Sequence, residues 1–120
     1  MDTPSASTSL TTFTISGRTY ELVSFLKKSE SYVTGDEMVE RAKEFKANLG
    51  KEHCQFILEH QDEIPSEYQG KIYLVFPGWR SPSYPPSVAC LYWRGDRWCQ
   101  GWSWLGNDWS KGDRLVRRIE

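Results

Sequence analysis

A chain of 120 residues supplies one domain. Its 38% hydrophobic, 26% charged and 14% aromatic residues exclude a disordered or fibrous polymer. The formal net charge of −1 points to no polyanionic partner for the molecule as a whole, yet it hides an asymmetry: residues 1–70 carry 7 Lys+Arg against 12 Asp+Glu (net −5), and residues 71–120 carry 8 against 4 (net +4). Such a division marks an anion-facing surface or two halves that attract each other within one fold, and the second is the simpler reading.

In chain order, residues 1–11 are rich in Ser and Thr without apolar periodicity, which predicts a disordered tail ahead of a single domain over 12–120. They hold neither a basic n-region nor an apolar h-region, so no secretory signal is expected. "TFTISGRTYELV" alternates across a Ser16-Gly17-Arg18 turn and predicts a β-hairpin. "ELVSFLKK" reads equally as strand or short helix. Thr34 with Glu37 three residues on forms a capping-box pattern, and Met38, Ala42, Phe45 and Leu49 make one apolar stripe, so a helix is expected up to Gly50. A second helix follows in "KEHCQFILEHQDE", with Cys54, Ile57, Leu58 and Gln61 on one face, and stops at Ile64-Pro65. The short break between them predicts a helix pair on a common surface.

From Lys71 the period changes to two. "KIYLVFPGW" reads as a strand with Ile72, Leu74 and Phe76 on one side, and "RSPSYPPS" as a proline-rich loop. "VACLYW" and "RWCQGWSWL" form a hairpin about Gly95-Asp96, a Gly-X pair suited to a tight turn. "RLVRRI" is expected as a closing edge strand. The sum is an α+β fold: an N-terminal β-hairpin, a two-helix pair, and a C-terminal antiparallel meander of three to four strands packed on the helices.

Five of the six tryptophans lie in "LYWRGDRWCQGWSWLGNDW", residues 91–109. A two-residue turn at Gly95-Asp96 places Trp93 opposite Trp98, Leu91 opposite Gln100 and Ala89 opposite Trp102. Alternation then puts Trp93, Trp98, Trp102 and Trp104 on one face. Trp102 and Trp104, deep in the strand, are expected in the core, because a small domain has few side chains large enough to build one. Trp93 and Trp98, near the tip and beside Arg94 and Arg97, are candidates for core and for a stacking platform alike. Trp79 and Trp109 lie in turn regions and complete the candidate binding set of Trp93, Arg94, Arg97, Trp98, Trp79 and Trp109.

No catalytic residues, cofactor or metal ligands are assigned. His53 and Cys54 are adjacent and diverge on a helix, His60 lies seven residues from His53, and zinc requires about four converging ligands. Cys54, Cys90 and Cys99 are odd in number and unpaired in spacing, which suits reduced thiols in a cytoplasmic protein. No apolar run reaches bilayer length, so no membrane partner is expected. "RLVRR" offers a phosphate contact, but charge protecting an edge strand accounts for it equally simply.

The segments "TGDEMVERAKE", "LEHQDEIP", "LVFPGWR", "LYWRGDRW" and "DRLVRR" resemble a group of small uncharacterised bacterial proteins that share a helical GEEMLxRA-like segment, an EHQDEIP-like segment and a Trp-rich C-terminal part. The resemblance spans most of residues 30–118. It implies a bacterial, cytoplasmic, compact single domain and contributes no site residues. The functional expectation is a non-enzymatic protein-interaction module with an aromatic-basic patch on its C-terminal sheet. The alternatives are a single-stranded nucleic-acid-binding protein and, third, a small hydrolase.

Overall fold

The computed structural model describes residues 12–119, so the expected tail at 1–11 lies outside the described residues. Strands β1 (Thr12–Ile15) and β2 (Arg18–Val23) form the first hairpin, closed by Ser16 and Gly17, both at positive φ. "SFLKK" forms no helix. The chain continues through β3 (Tyr32–Val33), helix α1 (Gly35–Glu44), helix α2 (Lys51–Glu59) and two short 3₁₀ turns, Gln61–Glu63 and Ser66–Tyr68. Strands β4 (Tyr73–Arg80), β5 (Ser87–Trp93), β6 (Trp98–Trp104), β7 (Trp109–Ser110) and β8 (Asp113–Ile119) complete it. Six strands make one sheet in the order β1-β2-β8-β4-β5-β6, antiparallel except for the β4/β8 pair, and β3 with β7 form a separate two-stranded ribbon. The class is α+β, as expected.

The two helices do not share a surface. Cys54 and Ile57 of α2 pack with Leu22, Leu74, Phe76, Ala89 and Leu91, whereas Met38, Val39 and Ala42 of α1 pack with Val23, Val75, Val88 and Leu115. Neighbouring strand residues point to opposite faces, so α2 covers one face of the sheet and α1 the other. The connector decides this. Ala47 N–H donates to Ala42 O and Lys46 N–H to Lys43 O, a Schellman stop with Lys46 in the left-handed region (φ 57°). That ends α1 before Leu49. The chain then enters the sheet layer, where Asn48 bridges Val116 in parallel and Gly78 N–H donates to Leu49 O. A Cβ on Gly78 would lie 2.4 Å from Asn48 O, so only glycine allows this crossing. Ala47 belongs to the α1-side core and Leu49 packs on the α2-side core.

The α1 cap is half of the expected box. Glu37 N–H donates to Thr34 Oγ1 (3.1 Å), but the Glu37 carboxylate accepts from Arg41 Nε (2.9 Å) instead of returning to the cap. Strand β8 is interior, between β2 and β4, and not at an edge. The adjacent pair Leu115 and Val116 is buried on both faces, the mark of a covered strand. Its Arg117 is held by Glu21 and by Phe45 O.

The segment after α2 ties both sheet edges together. Glu63 accepts from Ser16 N–H (2.6 Å) and Ser16 Oγ (2.7 Å) at the β1–β2 turn. Gln61 pairs with the main chain of Trp98: Trp98 N–H donates to Oε1 (2.7 Å) and Nε2 donates to Trp98 O (3.3 Å). This clamp sets which end of the β5–β6 hairpin is covered.

Candidate functional site: an edge strand and its indoles

The β5–β6 register matches the one the turn implies, with Trp93 opposite Trp98, Leu91 opposite Gln100 and Ala89 opposite Trp102. Gly95 takes φ 109° and Arg94 N–H donates to Arg97 O (2.8 Å). The burial, however, differs from the expectation at the deep end of the strand. Trp98 is 2% exposed and joins the α2-side core with Cys54, Ile57 and Leu91. Trp93 is half-buried and meets Trp98 edge-on at 5.9 Å. Of the two readings open for the tip pair, Trp98 takes the core one with Trp93 half-buried against it, because Gln61 and α2 lie over the turn end of the hairpin. The far end runs past the helix, so Trp102 (41%) and Trp104 (49%), expected as core, are exposed.

The other candidates divide similarly. Trp109 is 2% exposed and packs under α1, so it presents no ring face to a ligand. Neither the Trp98 nor the Trp109 indole N–H meets an acceptor among the described residues. Trp79 is half-buried, edge-to-face with Trp102 at 5.1 Å, and Lys51 Nζ lies 5.7 Å from its ring centroid. Arg94 and Arg97 are exposed at the turn. By alternation they belong with Tyr92, on the side opposite to the tryptophans, so Trp93, Trp98, Arg94 and Arg97 do not make one surface.

The structure thus sets Trp102 and Trp104 along the outermost strand, with Trp79 of β4 reaching the Trp102 ring. The Trp104 indole lies over Gly106, where a Cβ would come within 2.4 Å of the ring. The signal available in the sequence was the run of indoles itself; which of them emerge depends on where α2 stops.

The opposite face carries a shallow groove of about 270 Å³ that sequence reasoning missed. Tyr73 and Tyr92 stack at 6.1 Å above Gly101, and Cys90 Sγ lies 3.4 Å from Ser103 Oγ. Burial raises the Asp113 carboxyl pKa, opposed by the Ser110 N–H that it accepts. A second cleft is rimmed by Lys71, Lys111 and Arg114 over Tyr68 and Ile72.

The two histidines and the two buried thiols have defined surroundings. His53 Nδ1 bonds the Tyr20 hydroxyl (2.9 Å), and burial lowers its pKa. His60 Nδ1 donates to Phe56 O (2.9 Å). Burial pushes the Cys54 thiol up to about 12 and raises Cys90 as well, which keeps both as thiols. Among the described residues no group of three or more His, Cys, Asp or Glu is placed to hold a metal. No helix of the described residues is long and apolar enough to cross a membrane.

No family model, curated protein or solved structure matches this chain.

Proposed function

We propose that this protein is a non-enzymatic interaction module that binds a polypeptide partner on its C-terminal sheet, at β6 and the indoles of Trp79, Trp102 and Trp104. The observation that carries the reading is the exposure of Trp102 and Trp104 on a terminal strand. Side chains this large are costly to leave in water, and contiguous exposed aromatic surface marks interaction sites. Tryptophan is also the residue most enriched among binding anchors. Lys51, beside Trp79, adds the basic element of the patch.

A second reading, single-stranded nucleic-acid binding, is favoured by one observation: the stacked Tyr73–Tyr92 pair on the face that Arg94 and Arg97 share by alternation. Stacking on aromatic rings beside cations is how unpaired bases are held.

The test is a random peptide library panned against the protein, with fluorescent oligo-thymidine titrated in parallel at low and high salt. Recovered peptides should bind the parent and lose affinity at Trp102→Ala and Trp104→Ala, but not at Arg94→Ala. Oligo-thymidine binding that collapses with salt and is lost at Tyr92→Ala, with no peptide dependent on Trp102, would replace the first reading with the second.

A further inference from the structure

We infer that β6 receives its partner as an added β-strand: an extended polypeptide segment pairs main chain to main chain with Gln100–Trp104. The inference rests on the protein-interaction reading above and supplies its mode.

The phase of the β5–β6 ladder determines which groups are free. Arg94 N–H bonds Arg97 O at the turn, and Leu105 N–H bonds Pro86 O (2.8 Å) at the open end. Both pairs are of the hydrogen-bonded kind, so the pairs between them alternate from that phase. Cys99, Gly101 and Ser103 therefore turn their N–H and C=O groups toward β5. Trp98, Gln100, Trp102 and Trp104 turn theirs outward, away from the sheet, because β6 is its last strand.

The molecule closes this outward row at both ends and leaves its middle open. At Trp98 the Gln61 amide accepts from the N–H and donates to the C=O, as a neighbouring peptide unit would. At the other end Asn107 N–H donates to Trp104 O (3.1 Å). Between them the N–H and C=O of Gln100 and Trp102, and the N–H of Trp104, have no partner among the described residues. This window is five residues, about 17 Å at the rise of an extended strand. Its groups have the spacing of a β-ladder, and an extended main chain is the chemistry that satisfies them all.

Side chains of an added strand alternate across the same two faces. Those on one side fall beside the exposed rings of Trp102 and Trp104, which favour apolar groups; those on the other fall beside Gly101 and Ser103, which favour small or hydroxylated ones. The occupant is therefore an extended segment alternating apolar and small polar residues. A second copy of the chain fits less well, because a five-residue window gives little of the roughly 800 Å² per partner that stable assemblies bury.

The test uses the whole chain and a capped synthetic peptide alternating valine and threonine, followed by amide NMR and hydrogen exchange. Expected are shifts and at least tenfold slower exchange at the Gln100, Trp102 and Trp104 amides, with Cys99, Gly101 and Ser103 little changed because β5 already holds them. N-methylating two consecutive peptide residues blocks both edges of the peptide strand and should abolish the effect. Retained binding after methylation, or peptides from the library that bind at Trp102 without protecting these amides, would overturn strand addition while leaving the interaction reading intact. Loss of all Trp102-dependent peptide binding would overturn both. If these amides are protected in the free protein and sedimentation gives a dimer mass, a second copy holds the edge and the inference is wrong.

Discussion

Replacing Trp98 by alanine should be far more costly than replacing Trp102, although both stand on one face of one strand. A buried tryptophan removes about 150–250 Å² from water, which at about 25 cal/mol per Å² is roughly 4–6 kcal/mol. Trp98, 2% exposed, has nearly all of that area covered. Its indole N–H finds no acceptor among the described residues, which offsets the burial by about 1–3 kcal/mol. Trp98→Ala should then cost about 3–4 kcal/mol, within the usual range for a truncated buried aromatic. Trp102 leaves 41% of its surface in solvent, and Trp79 can close over the vacated space. Trp102→Ala should cost about 1–2 kcal/mol, since a collapsible site leaves little cavity. Urea unfolding followed by far-ultraviolet circular dichroism is the assay, because six tryptophans blur the fluorescence. With a slope of about 2 kcal/mol/M the midpoint should fall by roughly 2 M for Trp98→Ala. Trp98→Phe, which deletes the unpaired N–H, should lie well above the alanine variant. Should Trp102→Ala match or exceed Trp98→Ala, the division of the hairpin into a covered and an open end is refuted.

Lys46 sits at φ 57° in the Schellman position of α1, where a side chain is strained; Lys46→Gly should raise stability by about 0.5–1 kcal/mol in the same urea assay. Glu30 accepts two hydrogen bonds from the Arg41 guanidinium and one from Lys27 N–H, and these hold its pKa at about 2. A depressed carboxylate contributes stability above its unfolded value and loses it as pH falls toward the folded one. Melting temperature should therefore drop between about pH 5 and 2, and Glu30→Gln should flatten that part of the profile; an unchanged profile would refute the pairing. Ellman's reagent should label Cys99 first in the folded protein, with Cys54 and Cys90 reacting only on unfolding, since the latter two are buried and Cys99 is half-buried. Rapid labelling of Cys54 would contradict its place in the core.

Much of the local structure is legible in the residues alone. Gly95 sets the turn, and the turn sets the whole β5–β6 register. Thr34 marks the start of α1, and Leu74 with Phe76 mark a core-facing row. Each follows from short-range chemistry: a positive φ, an N-terminal amide, a period of two. The end of α1 was harder to read, because the left-handed stop falls on Lys46 instead of a glycine. The position of β8 was harder still, since charges at Arg114, Arg117 and Arg118 resemble edge protection while Leu115 and Val116 are covered from both sides. Alternation correctly places Trp98 and Trp102 on one face but cannot say how far a helix extends over that face. Tertiary structure decides it: Asn48 carries the chain through the sheet layer, so α2 lies alone on its side, and Gln61 anchors the end of that segment at Trp98. The indoles of Trp102 and Trp104 remain in solvent because they lie farther along β6 than the end that α2 and Gln61 cover.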